Sequence, residues 1–145
     1  MKDLLYLKDD QIKEFIQLLY YAYRETFSDP REILSKKYFG PAHLRALNLI
    51  ERNPGINLGE LIFKLKVTKQ SLNRILKDLV KLEAIEFKKD EQDTRVKHVF
   101  LSQKGQKIFN EIFEIQKKRI YKALLDSKSD EVLNFDIVLS RIING

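Results

Sequence analysis

Gln70, Asn73, Arg74, Lys77 and Lys81 recur at three- and four-residue spacing. On an α-helix such residues lie along one side. A carboxamide can bond in pairs to the edge of adenine, and a guanidinium can do the same to guanine. Gln70, Asn73 and Arg74 are therefore the candidates for base edges. Lys69, Ser71 and Lys77 bring cations and a hydroxyl suited to phosphate oxygens, which set register rather than sequence. The chemistry on offer is the non-covalent reading of a duplex. No phosphate-cradling glycine loop, nucleophile motif or paired metal ligand accompanies it. No catalytic residue, cofactor or metal is expected, and the scattered carboxylates read as solvated helix faces.

The elements that must carry these groups follow from apolar spacing. Leu72, Ile75, Leu76 and Leu79 fall at i, i+3, i+4 and i+7 on the side opposite the polar residues, which predicts a helix over about 69–82. Before it, Leu58, Leu61, Ile62 and Leu65 form a second stripe. Asn57 is placed to cap that helix, with Glu60 three residues on as in a capping box. Lys66 and Val67 make the turn, and Thr68 can cap the second helix. Two capped helices joined by about three residues read as a helix-turn-helix. The helices by themselves fit an ordinary αα-hairpin with a solvated basic face equally well.

The residues after the second helix separate these two readings. The spans 84–89 and 95–101 suit two strands, joined by the polar, turn-like Asp90-Glu91-Gln92-Asp93-Thr94. Val96, His98 and Phe100 alternate with Lys97, Val99 and Leu101, so the returning strand has two faces. A ribbon of this kind after a helix-turn-helix is a wing. Lys88, Lys89, Arg95 and Lys97 make it positive, and Arg is drawn to a narrow minor groove. Asp93 and Arg95 are two apart, so in an extended chain they project to one side and Asp93 can hold the guanidinium. An exposed ion pair on a solvated turn is the other reading.

The span 61–105 carries V-T-K-Q-S-L-N-R-I-L-K-D-L-V, then D-T-R, then L-S-Q-K-G, and is preceded by G-P-A-H-L-R-A-L-N-L-I-E-R-N-P over 40–54. In order and spacing this resembles the MarR family of winged-helix transcription regulators, and with the flanking helices the likeness spans nearly the whole chain. The resemblance implies a homodimer on a pseudopalindromic double-stranded DNA site, often released by a small ligand or by oxidation. It implies base and phosphate contacts from Thr68 through Lys77, and a minor-groove contact from Arg95. The family usually ends the recognition helix with Gly. This chain has Glu83-Ala84 there, and Ala enters a left-handed conformation only at a cost.

Composition sets the outer bounds. With 145 residues the chain is most simply one domain, with the winged helix-turn-helix over about 40–101 and dimerisation helices over about 1–39 and 102–145. The net charge of +6 favours a polyanionic partner. There is no Cys, so disulfides, thiolate metal sites and cysteine redox sensing are excluded, and His43 and His98 have no partners at zinc spacing. The apolar cluster Leu4-Leu5-Tyr6-Leu7, in an arm over 1–8, is too short for a signal peptide or a membrane span. A cytoplasmic protein without membrane contact is expected. The fold class is mainly α with a small β-wing.

The flanking helices are read from the same periodicity. Asp9 or Asp10 can cap a helix to about Phe27, with a broad apolar stripe that includes Ile12, Phe15, Ile16, Leu19, Tyr20 and Tyr23. Core packing or a partner subunit would each use that stripe. Ser28-Asp29-Pro30 breaks it, and 31–39 is a short helical turn and a loop. Pro41 opens a helix that buries Leu44, Leu47, Leu49 and Ile50 and ends at Asn53-Pro54-Gly55. Ser102 can cap a long helix from Gln103 to about Asp126. A last helix starting at Asp130 is apolar nearly all round, and a second copy of the chain would cover it most simply.

A small-molecule effector is conceivable where the flanking helices meet the winged unit. Tyr20, Tyr23, Arg24 and His43 are its candidate lining, because aromatics with one cation suit an aromatic acid. Tyrosines at helical spacing also serve as plain core or interface. The competing function is a winged-helix module that binds a protein and no DNA. That module would carry an apolar recognition face, and the face here is Gln, Asn, Arg and Lys.

Overall fold

A computed structural model of the chain describes residues 4–145, so Met1, Lys2 and Asp3 of the expected arm lie outside the described residues. After a 3₁₀ turn at Leu5–Leu7 come α1 (Asp9–Ser28), α2 (Arg31–Lys36) and α3 (Pro41–Arg52). The short β1 (Ile56–Asn57) leads into α4 (Leu58–Leu65) and α5 (Lys69–Lys81). Then come β2 (Ile85–Lys89), β3 (Lys97–Leu101), α6 (Gln103–Leu125) and α7 (Ser129–Asn144). The protein is mainly α with a small wing. Its described strands form one antiparallel sheet in the order β1-β3-β2. Val99 is the central partner, facing Ile56 on one side and Phe87 on the other.

The core is where the apolar stripes of α3, α4, α5 and α6 meet the sheet. Leu44, Leu47, Ile50, Leu61, Leu72, Leu79, Val99 and Ile112 are fully buried. Burying each such side chain is worth about 1.5–3 kcal/mol. On α3 the core takes Ala46 where Leu49 was expected, and Leu49 packs at its margin.

Helix starts track the capping residues closely. The side chain of Asn57 accepts the Glu60 N–H (2.9 Å) and donates to the Glu60 carboxylate (2.7 Å). Thr68 Oγ1 accepts the Ser71 N–H at 3.1 Å. Two starts differ from expectation. Lys8 is the N-cap of α1, and Asp9 and Asp10 lie inside its first turn, where their charges still meet the positive helix end. The last helix starts at Ser129 rather than Asp130.

The exits of α4 and α5 use left-handed residues that are not glycine. Lys66 has φ 52° and Glu83 has φ 59°. Glu83, rather than Ala84, takes the strained position, so Ala84 escapes the cost foreseen for it. Its amide bonds back to the Leu79 carbonyl at 2.9 Å, which keeps Ala84 outside β2. The Ala84 carbonyl then accepts the Ser102 N–H at 2.9 Å. Ser102 Oγ donates to the Glu83 carbonyl (2.6 Å) and accepts the Gly105 N–H (2.9 Å). The end of α5 is thereby bolted to the start of α6. A Cβ on Gly105 would lie 1.9 Å from the Ala84 carbonyl oxygen. Glycine at 105 is what lets the two elements approach.

The far half of α6 is tied to the end of α1. Arg119 forks onto Asp29 with bonds of 2.6 and 2.9 Å, and Gln116 Nε2 donates to the Thr26 carbonyl at 3.0 Å. The Arg119 hydrogen bond holds the Asp29 carboxyl below its ordinary range. Neither α1 nor α7 contributes a buried residue among the described residues. No helix among them is long and apolar enough to cross a membrane.

Gly105→Ala is expected to lower stability by about 1–3 kcal/mol, because the backbone of Ala84 must move. Gly40→Ala, where a new Cβ meets nothing within 4 Å, should cost less, within about 1 kcal/mol, because it only exchanges the N-cap of α3 for a poorer one. Urea unfolding of the two variants at equal protein concentration checks the contrast.

Candidate nucleic-acid interface

Helix α5 rests on its apolar side, with Leu72, Ile75, Leu76 and Leu79 buried. That anchors the opposite side as a rigid outward face. Thr68, Lys69, Gln70, Ser71, Asn73, Arg74 and Lys77 are all exposed along it. The Thr68 hydroxyl, besides capping, donates to Ser71 Oγ at 3.0 Å. The capped N-terminus of α5 is thus an ordered pair of hydroxyls on the first turn, which also carries the exposed Lys69. Helix α3 locks the middle of α5 in place. His43 Nε2 donates to Asp78 at 2.8 Å, while Nδ1 accepts the Gly40 N–H at 3.0 Å and the ring stacks on Phe39.

The wing is built differently from the expected extended pair. Strand β3 begins at Lys97 rather than Arg95, and residues 93–96 form a turn. Asp93 Oδ1 accepts the Arg95 backbone N–H (3.0 Å) and Nε (3.1 Å), and Oδ2 accepts Nη2 (3.2 Å). The two residues meet because the chain turns back on itself, not because alternation puts them on one side. This fork holds the Asp93 carboxyl below its usual range. The Arg95 side chain is otherwise 89% exposed, at the tip of the ribbon. Lys88 and Lys89 on β2 and Lys97 on β3 are exposed too. The Lys88 ammonium lies 4.8 Å over the Phe100 ring, and that of Lys97 5.8 Å over Phe87.

Two residues that spacing did not single out organise this tip. Asp90 Oδ2 accepts the N–H groups of Gln92 (3.0 Å) and Asp93 (2.9 Å). Its Oδ1 faces His98 Nε2 at 2.9 Å, and His98 Nδ1 faces the Gly55 carbonyl at 2.7 Å. The His98 hydrogen bond and the two amides lower the Asp90 pKa, and Asp90 followed by Gly55 raises that of His98. The signal in the sequence was an Asp opening a turn, which often accepts the amides two and three residues on. The His98 partner on β3 is visible only in the fold.

Tyr20, Tyr23 and Arg24 line one cavity of about 280 Å³, together with Phe27, Arg31 and Phe39. Tyr23 stacks on Phe27 and accepts a hydrogen bond from Arg45 at 2.6 Å. Arg24 pairs with Glu25 and lies over the Tyr21 ring. His43 is not among the lining residues. Its ring is spent on Phe39, Gly40 and Asp78, so it belongs to the α3–α5 contact instead. Arg31, from the short α2, adds the second cation and was not foreseen.

Residues 39–96 match a sequence model described as the MarR family. Across 141 residues the chain is 36% identical to the HTH-type transcriptional regulator PetP of Rhodobacter capsulatus, covering 97% of this chain and 85% of that protein. NadR, solved in complex with 4-hydroxyphenylacetate, superposes with a TM-score of 0.76 at 20% identity, covering 98% of this chain and 97% of that one. Streptococcus pneumoniae FabT, solved in complex with DNA, gives 0.70 at 18% identity, covering 94% and 96%. At such identities the two structures speak for the fold.

Thr68→Ala removes the cap of α5 and should cost about 1 kcal/mol of stability. Thr68→Ser, which keeps the accepting oxygen, should recover most of it. Chemical denaturation of both variants checks this.

Proposed function

This chain belongs to the MarR family of transcriptional regulators, and on that premise we propose that a homodimer of it binds a pseudopalindromic double-stranded DNA site. One observation carries the reading. The exposed face of α5 is amide, guanidinium, hydroxyl and ammonium, while the opposite face is locked into the core. Gln70, Asn73 and Arg74 present the groups that distinguish adenine and guanine in the major groove. Lys69, Ser71, Lys77, Lys88 and Lys89 take phosphates and fix the register. Arg95, held by Asp93, enters the minor groove, and Lys97 adds positive charge to the wing. A module that docks proteins would want an apolar face here, and α5 has none.

The dimer is supported by what a single protomer leaves uncovered. Leu133, Phe135, Ile137, Val138, Ile142 and Ile143 are exposed along α7, and Ile16, Leu19 and Tyr20 along α1. Exposed apolar side chains in this number on two helices favour a contact between chains. A second copy lets two recognition helices enter successive major grooves about 34 Å apart.

A second, finer reading concerns modulation. The cavity beside Tyr20, Tyr23, Arg24 and Arg31 offers aromatic walls and two cations, which suit an aromatic acid. It lies between α1 and the entry to α3, so a bound acid would bear on both the dimer helices and the winged unit.

Genomic fragments selected by the protein, then titrated by fluorescence anisotropy, test the main reading. Affinity should fall roughly a thousandfold between about 50 and 200 mM salt, as neutralised phosphates release counterions. A flat salt response rejects it. Arg95→Ala should weaken binding by about 1–3 kcal/mol with unchanged unfolding, and an unaltered affinity removes the wing from the interface. Sedimentation should give a dimer at micromolar concentration, and Phe135→Lys with Val138→Lys should give a monomer that no longer retains DNA. Titration with 4-hydroxyphenylacetate should lower DNA affinity in the wild type and leave Arg24→Ala unmoved. An unchanged wild-type affinity drops that acid as the effector.

A further inference from the structure

We propose that His98 is the positioning residue of the wing, holding Arg95 through Asp90 and Asp93, and that it does so only while both ring nitrogens carry protons. This deepens the DNA-binding reading and rests on it.

The geometry requires two donors. His98 Nδ1 faces the Gly55 carbonyl at 2.7 Å, and a carbonyl can only accept, so Nδ1 carries a proton. Nε2 faces the Asp90 carboxylate at 2.9 Å, which also accepts. A neutral imidazole has a single N–H and can satisfy only one of them. His43 makes the contrast: its Nδ1 takes the Gly40 N–H and its Nε2 gives to Asp78, so a ring with one proton and one lone pair makes both bonds.

From His98 the contacts run outward without a gap. Asp90 uses its second oxygen on the Gln92 and Asp93 amides, and so sets the turn. Asp93 then grips the Arg95 amide and guanidinium. Inward, Gly55 is fixed to the sheet, its N–H donating to the Val99 carbonyl at 2.9 Å. The turn is closed by its own backbone bonds, Asp90 N–H to Val96 and Val96 N–H to Asp93, and the imidazole adds the tie from that turn to Gly55, just beyond α3. The charged groups around that ring are Asp90 across the wing, Glu60 on α4 and Lys88 opposite on β2, whose ammonium is turned onto Phe100. Two carboxylates against one diverted ammonium favour the imidazolium.

This fixes the sign of the pH dependence. His98 titrates above the ordinary imidazole value. Below it the relay is complete. As pH rises through the raised value, the ring keeps the proton that the Asp90 carboxylate holds on Nε2 and gives up the one on Nδ1; the bond to the Gly55 carbonyl fails, and Asp90 and the turn that holds Arg95 lose their anchor. Binding then draws on the shrinking protonated fraction, and apparent affinity falls with it.

The test is duplex affinity of the full-length protein at constant ionic strength, from about pH 6 to about pH 9. Wild type should lose about tenfold across one proton transition. His98→Gln should bind with the weaker affinity throughout and show no transition, and Arg95→Ala should abolish the transition with His98 present. His98→Lys separates charge from bridging: it should stay weak. A profile that persists in His98→Gln or in Arg95→Ala overturns the proposal, as does full affinity in His98→Lys. A second measurement needs no DNA. In the free protein, the Gln92 and Asp93 amide resonances should titrate with the His98 ring, and amides that ignore it sink the relay. Failure to bind any duplex at any pH would reject the regulator reading instead, leaving the amide titration to decide the relay.

Discussion

The contact of the Ala84 carbonyl with the first turn of α6 is the constraint from which the rest of this molecule takes its shape. It sets where α5 stops, where β3 must return and the angle at which the longest helix departs. Four backbone groups and one hydroxyl hold it, at Glu83, Ala84, Ser102 and Gly105. The Cβ of any other residue at 105 would overlap the carbonyl oxygen. Hydrogen bonds at a joint without side-chain bulk tolerate little play. Helices α5 and α6 are thus mechanically one piece at this point.

The strain stored nearby fits that view. Glu83 sits in a left-handed conformation that costs a residue with a Cβ roughly 1–2 kcal/mol. It is held there by the amide of Ala84 reaching Leu79 and by the hydroxyl of Ser102. Lys66 plays the same part between α4 and α5. In both turns the surrounding bonds over-determine a conformation that glycine would adopt freely.

Most of this architecture was legible in order along the chain. The stripe at Leu72, Ile75, Leu76 and Leu79 located α5 and its buried side. Asn57, Thr68 and Ser102 marked helix starts, because a cap is a local interaction that a sequence spells out. What stayed hidden is long-range or conformational. The meeting of His98 with Asp90 and Gly55 joins residues up to 43 positions apart. His43 looked available to a ligand because its bond to Asp78 spans 35 residues. Asp93 and Arg95 were paired correctly for the wrong reason, since a turn and not a strand brings them together. Asp9 and Asp10 missed the cap by one or two positions, which is the ordinary uncertainty of a helix end. Leu49 and Ala46 exchanged places because side-chain size, not spacing, ranked them.

Helix α6 has 23 residues, so it extends about 35 Å. Its near end is bolted to the end of α5, and its far half is hooked to α1 by Arg119 and Gln116. A rod of that length works as a lever. A tilt of about 5° at one end carries the other through about 3 Å, roughly the rise of one base pair along a strand. A displacement too small to break any packed layer is enough to put α5, on the DNA-binding reading proposed above, out of step with a groove.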